Sequence, residues 1–247
     1  MKDQRLAVHR TIVVVDVEGF VDQCRTTANQ VTVRDGMYHV MSEGFDRAGI
    51  SWGDCDREDR GDGVLVLVPA EVPKGLLVES LPFALVTALR GHNGVHLSPE
   101  QIRLKMALHA GEVRYDQHGV TGMAVNLAFR LLEAAPLKQA LASSPGVLAV
   151  ITSSWFYAEV ARQTPVAGEY HCVDVAVKET RTIGWICLPD RALAIERRKL
   201  SSDEGAAGRP QEFDGAAAAC NMVVRVNRNW SRSRWLSANA ARRSASG

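Results

Sequence analysis

Apolar runs alternate with mixed segments along this chain, and the pattern predicts a sheet of buried strands. Residues 12–15 are an unbroken β-branched run, which predicts a buried central strand. Residues 64–68 form a second apolar run, directly after the turn sequence Gly61-Asp62-Gly63. In residues 103–113 the apolar side chains fall on one face, as in a half-buried strand. The first half of the chain therefore supplies at least three strands.

Helices are predicted between these strands. Residues 21–48 lack proline, space their apolar residues among polar ones and stop before Gly49, which suits a helix C-cap, so this segment predicts one or two helices. Pro73 lies near the start of a helical stretch that reaches about residue 90. Thr121 or Gly122 opens a further helix that ends before Pro136. A short strand, a short helix and two strands around a turn complete the pattern, at residues 147–151, 153–162 and 170–188.

The order of these elements predicts an α+β fold, a ferredoxin-like sheet of the split βαβ type with flanking helices. We expect this domain to occupy residues 1–190. Residues 191–247 are rich in Gly, Ala, Ser and Arg, and we interpret them as a basic, largely disordered tail. The tail carries 11 Lys and Arg against 5 Asp and Glu, whereas residues 1–190 carry 18 against 23.

The composition indicates the cellular compartment in which we expect the protein. The five cysteines are odd in number and none has CxxC spacing, which favours reduced thiols over a disulfide framework or a zinc site. The first apolar run is too short for a signal peptide, and nothing approaches the roughly 20 apolar residues of a membrane span. We therefore expect a cytoplasmic protein that does not bind membranes. We expect no nucleic-acid binding, since only the basic tail favours it and the strands lack paired aromatics.

Two aspartates are the first candidates for chemistry. Asp16 follows the buried strand, at the carboxyl end where ligands bind in open sheets, and Gly19 lets the backbone approach a phosphate. Asp62 lies at the tip of the next hairpin. Either residue has an ordinary structural interpretation, as a helix cap or a turn residue. In a split βαβ sheet, however, the two carboxylates converge, and hard oxygen ligands suit two Mg²⁺ or Mn²⁺ ions.

Later residues offer groups that could bind a phosphorylated sugar. Asn126 and Arg130 are four apart on a predicted helix and so share a face. An amide and a guanidinium together suit a ribose oxygen and a developing phosphate charge. By spacing alone, an exposed polar face is the simpler interpretation. Lys178, near the end of the domain, is by itself an ordinary solvated lysine.

Together these segments resemble the class III adenylate and guanylate cyclase family over about residues 10–187. Five motifs occur in the family's order, which is far more specific than any one of them. They are Thr11-Ile12-Val13-Val14-Val15-Asp16-Val17-Glu18-Gly19-Phe20, Gly61-Asp62-Gly63, His109-Ala110-Gly111-Glu112, Val125-Asn126-Leu127-Ala128-Phe129-Arg130-Leu131 and Val177-Lys178.

The resemblance implies roles for particular residues. Asp16 and Asp62 would hold two divalent ions. Asn126 would orient the ribose, Arg130 would stabilise the transition-state phosphate, and Lys178 would bind the terminal phosphates. The substrate would also meet the segment Val17-Glu18-Gly19-Phe20, in which the backbone carbonyl of Val17 is a further metal ligand. Family members are head-to-tail homodimers, and each site combines the aspartates of one protomer with the later residues of the other.

The sequence departs from the family where the base is bound. Glu58, four residues before Asp62, resembles the glutamate of guanylate cyclases, but Gly119 stands where the family has aspartate or cysteine. Lys178 is followed by Glu179 instead of glycine. The base therefore stays open among GTP, ATP and a pyrimidine nucleotide.

Two functions of different kinds remain. The leading hypothesis is an enzyme, a nucleotidyl cyclase of intracellular signalling that converts a nucleoside triphosphate into a 3′,5′-cyclic monophosphate and pyrophosphate. The alternative is a catalytically silent, cyclase-like module that binds a nucleotide or another protein. The presence of both aspartates, the arginine and the lysine favours the enzyme.

Overall fold

A computed structural model of the chain describes residues 6–190. The tail predicted at 191–247 lies outside the described residues. Eight strands occur in the described part: β1 (Val8–Val17), β2 (Asp56–Asp59), β3 (Gly63–Pro69), β4 (Leu104–Asp116), β5 (Gly119–Thr121), β6 (Leu148–Ser153), β7 (His171–Val177) and β8 (Thr180–Cys187). Six α-helices accompany them: α1 (Thr27–Arg47), α2 (Leu76–Glu79), α3 (Leu81–Val95), α4 (Met123–Leu132), α5 (Ala135–Ala142) and α6 (Ser154–Glu159).

The strands form one mixed sheet in the order β2-β3-β1-β4-β6-β8-β7, and the short β5 pairs with β4 beside this path. Only the β4–β6 pair is parallel among these neighbours. The helices α4 and α5 lie between those two strands in sequence, as a parallel connection requires. The predicted α+β fold, a sheet with flanking helices, is therefore confirmed.

β1 lies at the centre of the sheet because its residues are apolar on both faces. Val13 and Val15 pack into the core on the side of α1 and α3. Ile12 and Val14 pack into the second core, under α4 and α5. All four are at most 1% exposed. Asp16 follows in the same alternation, so its side chain points to the α4 side of the sheet.

The structure sharpens three sequence predictions. Residues 21–48 hold one helix, which begins after Thr26 because Thr26 and Asn29 form a reciprocal capping box. The helical stretch after Pro73 is broken into α2 and α3 at Ser80. The strand β5 was not predicted, since three residues are too few for a period to be visible. Within residues 6–190, no helix is both long and apolar enough to cross a bilayer.

Candidate active site

The end of β1 and the β2–β3 turn bring Asp16 and Asp62 together. Asp16 is paired with Gly63 across the β1–β3 ladder, and the backbone N–H of Val17 donates to the carbonyl of Asp62 at 2.9 Å. A Cβ on Gly63 would stand 2.2 Å from the backbone oxygen of Val15, so only glycine allows this close approach. The two carboxylates meet as their order in the sequence predicted, and both line one cavity of about 260 Å³.

A lysine that the sequence did not single out completes this cluster. Lys105 is paired with Asp16 across the β1–β4 ladder, and its ammonium forms an ion pair with the Asp16 carboxylate. The side chains of Lys105 and Asp16 are only 12% and 22% exposed. Burial raises the pKa of Asp16, the Lys105 ammonium lowers it, and the nearby Asp62 carboxylate raises it again. The site thus already places one cation beside two crowded carboxyl groups.

A second cavity, of about 370 Å³, lies under α4. Asn126 and Arg130 both line it, so the four-residue spacing does bring these side chains to one place. The two cavities share Arg60, Phe129 and Glu133 in their walls and therefore adjoin each other. The aspartates line the first cavity and the α4 pair lines the second.

Arg130 is held by a single carboxylate. Its Nη2 donates to Oε1 of Glu179 at 3.1 Å, and these side chains are 20% and 75% exposed. Its Nε is buried and has no hydrogen-bond partner among the described residues. The pKa of Glu179 is lowered by its own backbone N–H and by Arg130. The guanidinium has five N–H donors, so donors on its exposed side that Glu179 does not use can still bind an anion.

Lys178 lies beside this pair, on the turn between β7 and β8. Its φ is +49°, which is unusual for a residue other than glycine. The side chain is exposed and lines neither cavity. The structure thus brings Lys178 near Arg130 through its neighbour Glu179 but does not bring it to the aspartates.

The two predicted base-binding positions are in contact with each other. Oε1 of Glu58 accepts a hydrogen bond from the backbone N–H of Val120 at 2.7 Å, next to Gly119. Oε2 of Glu58 accepts one from Arg60 at 2.6 Å. Because Arg60 and Val120 line the cavity under α4, Glu58 lies at the edge of that same cavity.

Comparison with known proteins identifies the fold of the chain. No protein-family model matches the chain, and no curated protein matches it. Solved structures do match. The guanylyl cyclase Cya2 superposes with a TM-score of 0.51 at 21% identity, over 74% of this chain and 91% of that one. An adenylate/guanylate cyclase/hydrolase from Silicibacter pomeroyi gives 0.51 at 18% identity, over 74% and 98%. A bacterial light-regulated adenylyl cyclase gives 0.54 at 15% identity, over 74% and 51%.

This chain has the class III nucleotidyl cyclase fold. At these identities the likeness concerns the fold, so the chemistry depends on the side chains. Asp16 and Asp62 are the residues of this cyclase fold that suit a metal, as two converging hard-oxygen donors. No group of three or more His, Cys, Asp and Glu within residues 6–190 could hold a metal. Other ligands of an ion would come from backbone oxygens, water or a bound phosphate.

In the segment after Asp16, the side chains contact other parts of the domain. Glu18 forms an ion pair with Arg103 at 2.7 Å, and its backbone N–H donates to the Arg103 carbonyl at 2.9 Å. Phe20 packs against the core on the α1 side. Gly19 has a φ of +64° and lies on an exposed turn. Of Val17-Glu18-Gly19-Phe20, the backbone is therefore the part that can meet a phosphate.

A group of hydrogen bonds that holds the β2–β3 hairpin was not predicted from the sequence. Arg34 and Tyr38 of α1 both donate to Oδ2 of Asp59, and the Tyr38 hydroxyl does so at 2.6 Å. Oδ1 of Asp59 accepts from the backbone N–H of Gly61 at 2.7 Å. Bonds from Tyr38, Arg34 and Gly61 lower the pKa of Asp59 to about 2. The turn that carries Asp62 is thereby tied to α1.

Proposed function

We propose that this chain is a nucleotidyl cyclase that converts a nucleoside triphosphate into a 3′,5′-cyclic monophosphate and pyrophosphate. One observation carries the proposal. Asp16 and Asp62 converge beside the largely buried Lys105 in one cavity, and Asn126 and Arg130 together line another. We place the activity in the cytoplasm, in intracellular signalling.

The reaction requires activation of the ribose and neutralisation of the phosphates. The ribose 3′-oxygen attacks the α-phosphorus and gives its proton to solvent water, while the bond from that phosphorus to the bridging oxygen breaks and pyrophosphate leaves. Two Mg²⁺ or Mn²⁺ ions held by Asp16 and Asp62, with the Val17 carbonyl, would polarise the 3′-hydroxyl and balance phosphate charge. The cluster suits them, since it already attracts the ammonium of Lys105.

The remaining residues of this chain position the substrate. The Asn126 amide bonds a ribose oxygen, and the Arg130 guanidinium donates to the phosphate that develops charge. Lys178 meets the terminal phosphates, and so does the backbone after Asp16 where Gly19 turns. Glu58 bonds the base.

We further propose that the working unit is a head-to-tail homodimer with composite sites. In support, neither cavity of one chain is lined by all the predicted catalytic groups. The cavity with Asp16 and Asp62 lacks Asn126 and Arg130, and Lys178 lines neither. A second copy with C2 symmetry would bring one protomer's α4 and β7–β8 turn to the aspartates of its partner.

One observation favours the alternative of a catalytically silent module that binds a nucleotide or another protein. Both key charges are already paired within the chain, Asp16 with Lys105 and Arg130 with Glu179. A silent module would keep these pairs and form no product.

Product analysis separates the two functions. The full chain is incubated with each of the four nucleoside triphosphates and Mn²⁺, and cyclic product is measured. We expect product from the wild type and a loss of about 100-fold or more in Asp16→Ala and Asp62→Ala. Asp174→Ala, an exposed aspartate on the edge strand β7, is the matched control and should retain activity. Undiminished product in either site variant would contradict the assignment of the aspartates.

A further inference from the structure

The peptide that joins Val17 to Glu18 is held on both sides of β1. The backbone N–H of Val17 donates to the carbonyl of Asp62 at 2.9 Å. The N–H of Glu18 belongs to the same peptide as the Val17 carbonyl, and it donates to the carbonyl of Arg103 at 2.9 Å. Because a trans peptide is planar, its C=O and N–H point in opposite directions. The Val17 carbonyl therefore points away from β4, toward β3 and the turn that carries Asp62.

The side chains of Glu18 and Arg103 connect these two residues a second time. Nη1 of Arg103 lies 2.7 Å from Oε2 of Glu18, and the two side chains are 34% and 27% exposed. The backbone hydrogen bond and the ion pair therefore join the same two residues. The Val17–Glu18 peptide cannot rotate without breaking the first and displacing the second.

Arg103 is itself anchored to the loop between α5 and β6. Its Nε donates to the carbonyl of Gly146 at 3.1 Å, and its Nη2 donates to the carbonyls of Leu141 and Ser144 at 2.5 and 2.8 Å. With the bond to Glu18, most of the five N–H groups of the guanidinium are used. Because the loop already orders this long side chain, its contact with Glu18 costs little further conformational entropy.

We propose that Arg103 and Glu18 are positioning residues that hold the Val17 carbonyl in the direction in which it can bind a divalent ion. The inference rests on the proposed function for one element, the metal site in which this carbonyl joins Asp16 and Asp62. Glu18 acts through the backbone, since its carboxylate is paired with Arg103. A ligand whose direction is fixed before the ion arrives loses less freedom on binding, and so binds the ion more tightly.

Positioning and simple electrostatics predict different results when the pair is broken. Glu18→Gln removes a negative charge and Arg103→Met removes a positive one. Electrostatics alone therefore predicts weaker binding of Mn²⁺ in the first variant, tighter binding in the second and wild-type binding in the double variant, whose net charge is unchanged. Loss of positioning predicts weaker binding in all three. Glu18→Gln also leaves the bonds of Arg103 to the α5–β6 loop intact, so it tests the contact even where Arg103→Met disturbs that loop.

Binding of Mn²⁺ to the full chain is measured without nucleotide, from the electron paramagnetic resonance signal of the free ion. We expect the dissociation constant to rise about tenfold in Glu18→Gln and in Arg103→Met, the lower end of the effect of removing a partner of a metal ligand, because the backbone bond from Glu18 remains. The double variant should also lose about tenfold, since both changes break one contact. Amide hydrogen exchange at residues 17–20 should be faster in each variant.

Glu43→Gln is the matched control. Glu43 forms an ion pair with Arg47 on α1 at 2.6 Å, and its side chain is 31% exposed, close to the 27% of Glu18. Glu43 lines neither cavity, so its variant should bind Mn²⁺ like the wild type. Arg103→Lys keeps a charge for Glu18 but lacks the fork that reaches the loop carbonyls, and it should fall between wild type and Arg103→Met. Thermal unfolding checks that every variant is folded.

The outcomes separate this inference from the proposed function. Wild-type affinity for Mn²⁺ in Glu18→Gln or in the double variant overturns the positioning role, whether or not cyclic product forms. If affinity falls as expected but no triphosphate is cyclised, the proposed function fails and the positioning role stands. If the wild type binds no Mn²⁺ at all, both proposals fail together.

Discussion

The two halves of the candidate site each contain an internal ion pair, but the pairs differ in how they are held. Asp16 and Lys105 lie on adjacent strands, opposite each other in the ladder, and are 22% and 12% exposed. Arg130 lies on α4, and its partner Glu179 lies on a turn and is 75% exposed. One pair is fixed by the register of the sheet, whereas the other depends on a solvated side chain.

This difference has a consequence for ligand binding. Exposed ion pairs contribute little net stability in water, so a triphosphate can displace Glu179 from Arg130 at small cost. Breaking the Asp16–Lys105 pair leaves a partly buried charge without a partner, which costs several times more. We therefore expect the aspartate half to be rigid before any ligand binds, and the α4 half to exchange one anion for another.

The largest effect should come from combining the two halves in a mixed dimer. Asp16→Ala and Arg130→Ala, each nearly inactive alone, should recover about a quarter of wild-type activity when mixed, because half of the dimers are hybrids with one intact site. Cyclic product is measured after subunit exchange, which is followed separately by energy transfer between labelled chains. A mixture that exchanges subunits yet forms no product would mean that all the groups act within one chain.

Removal of the Lys105 ammonium should destabilise the fold around Asp16 and Asp62. In Lys105→Met the carboxylates of Asp16 and Asp62 lose their cation, and we expect a loss of about 2 kcal/mol near pH 7, discounted for partial exposure. Burial and Asp62 already raise the pKa of Asp16. The loss should therefore shrink as the pH falls through that raised pKa, since protonated Asp16 needs no cation.

Thermal unfolding at neutral and acidic pH measures this effect. Lys138→Met is the control, because Lys138 lines the same cavity but is exposed. Mn²⁺ should restore more stability to Lys105→Met than to wild type, since the ion replaces the lost cation. Equal stability of the two variants at neutral pH would show that the partly buried pair of Asp16 and Lys105 contributes nothing to stability.

The sequence alone predicts those features of the fold and of the site that depend on local pattern and on the order of the strands. The β-branched run before Asp16 indicates the central strand, and the order of elements is enough to bring Asp16 and Asp62 together. Lys105 was missed because a lysine between apolar residues in an alternating strand resembles a solvent-facing one. Its pairing depends on the register between β1 and β4, which no local signal specifies. The contact of Glu179 with Arg130 was missed because it joins a turn to a helix 49 residues away, and no local signal connects the two.

A smaller effect, on nucleotide affinity, should follow from removing the ion pair between Glu179 and Arg130. Glu179→Gln keeps the size of the side chain but removes its charge, so the anion that competes with the triphosphate is lost. We expect nucleotide affinity to rise about two- to fivefold at low salt, within the range of an exposed pair, and the gain to fade as salt screens the charges. Glu159→Gln, an exposed glutamate on α6, is the control. Weaker binding in Glu179→Gln would show instead that Glu179 positions the guanidinium.

The smallest effect concerns the turn beside that pair, where Lys178 has a φ of +49°. A side chain in this region costs about 1 kcal/mol relative to glycine, and such strain often accompanies a functional residue. Lys178→Gly should therefore unfold about 2–4 °C higher than wild type, whereas Lys178→Ala keeps the strained backbone and should not. Both variants lose the ammonium, so both should bind the triphosphate more weakly and by the same factor. Thermal unfolding and nucleotide titration of the two variants separate strain from charge. If Lys178→Gly is no more stable than Lys178→Ala, the turn is unstrained, and the lysine is retained at no cost in stability.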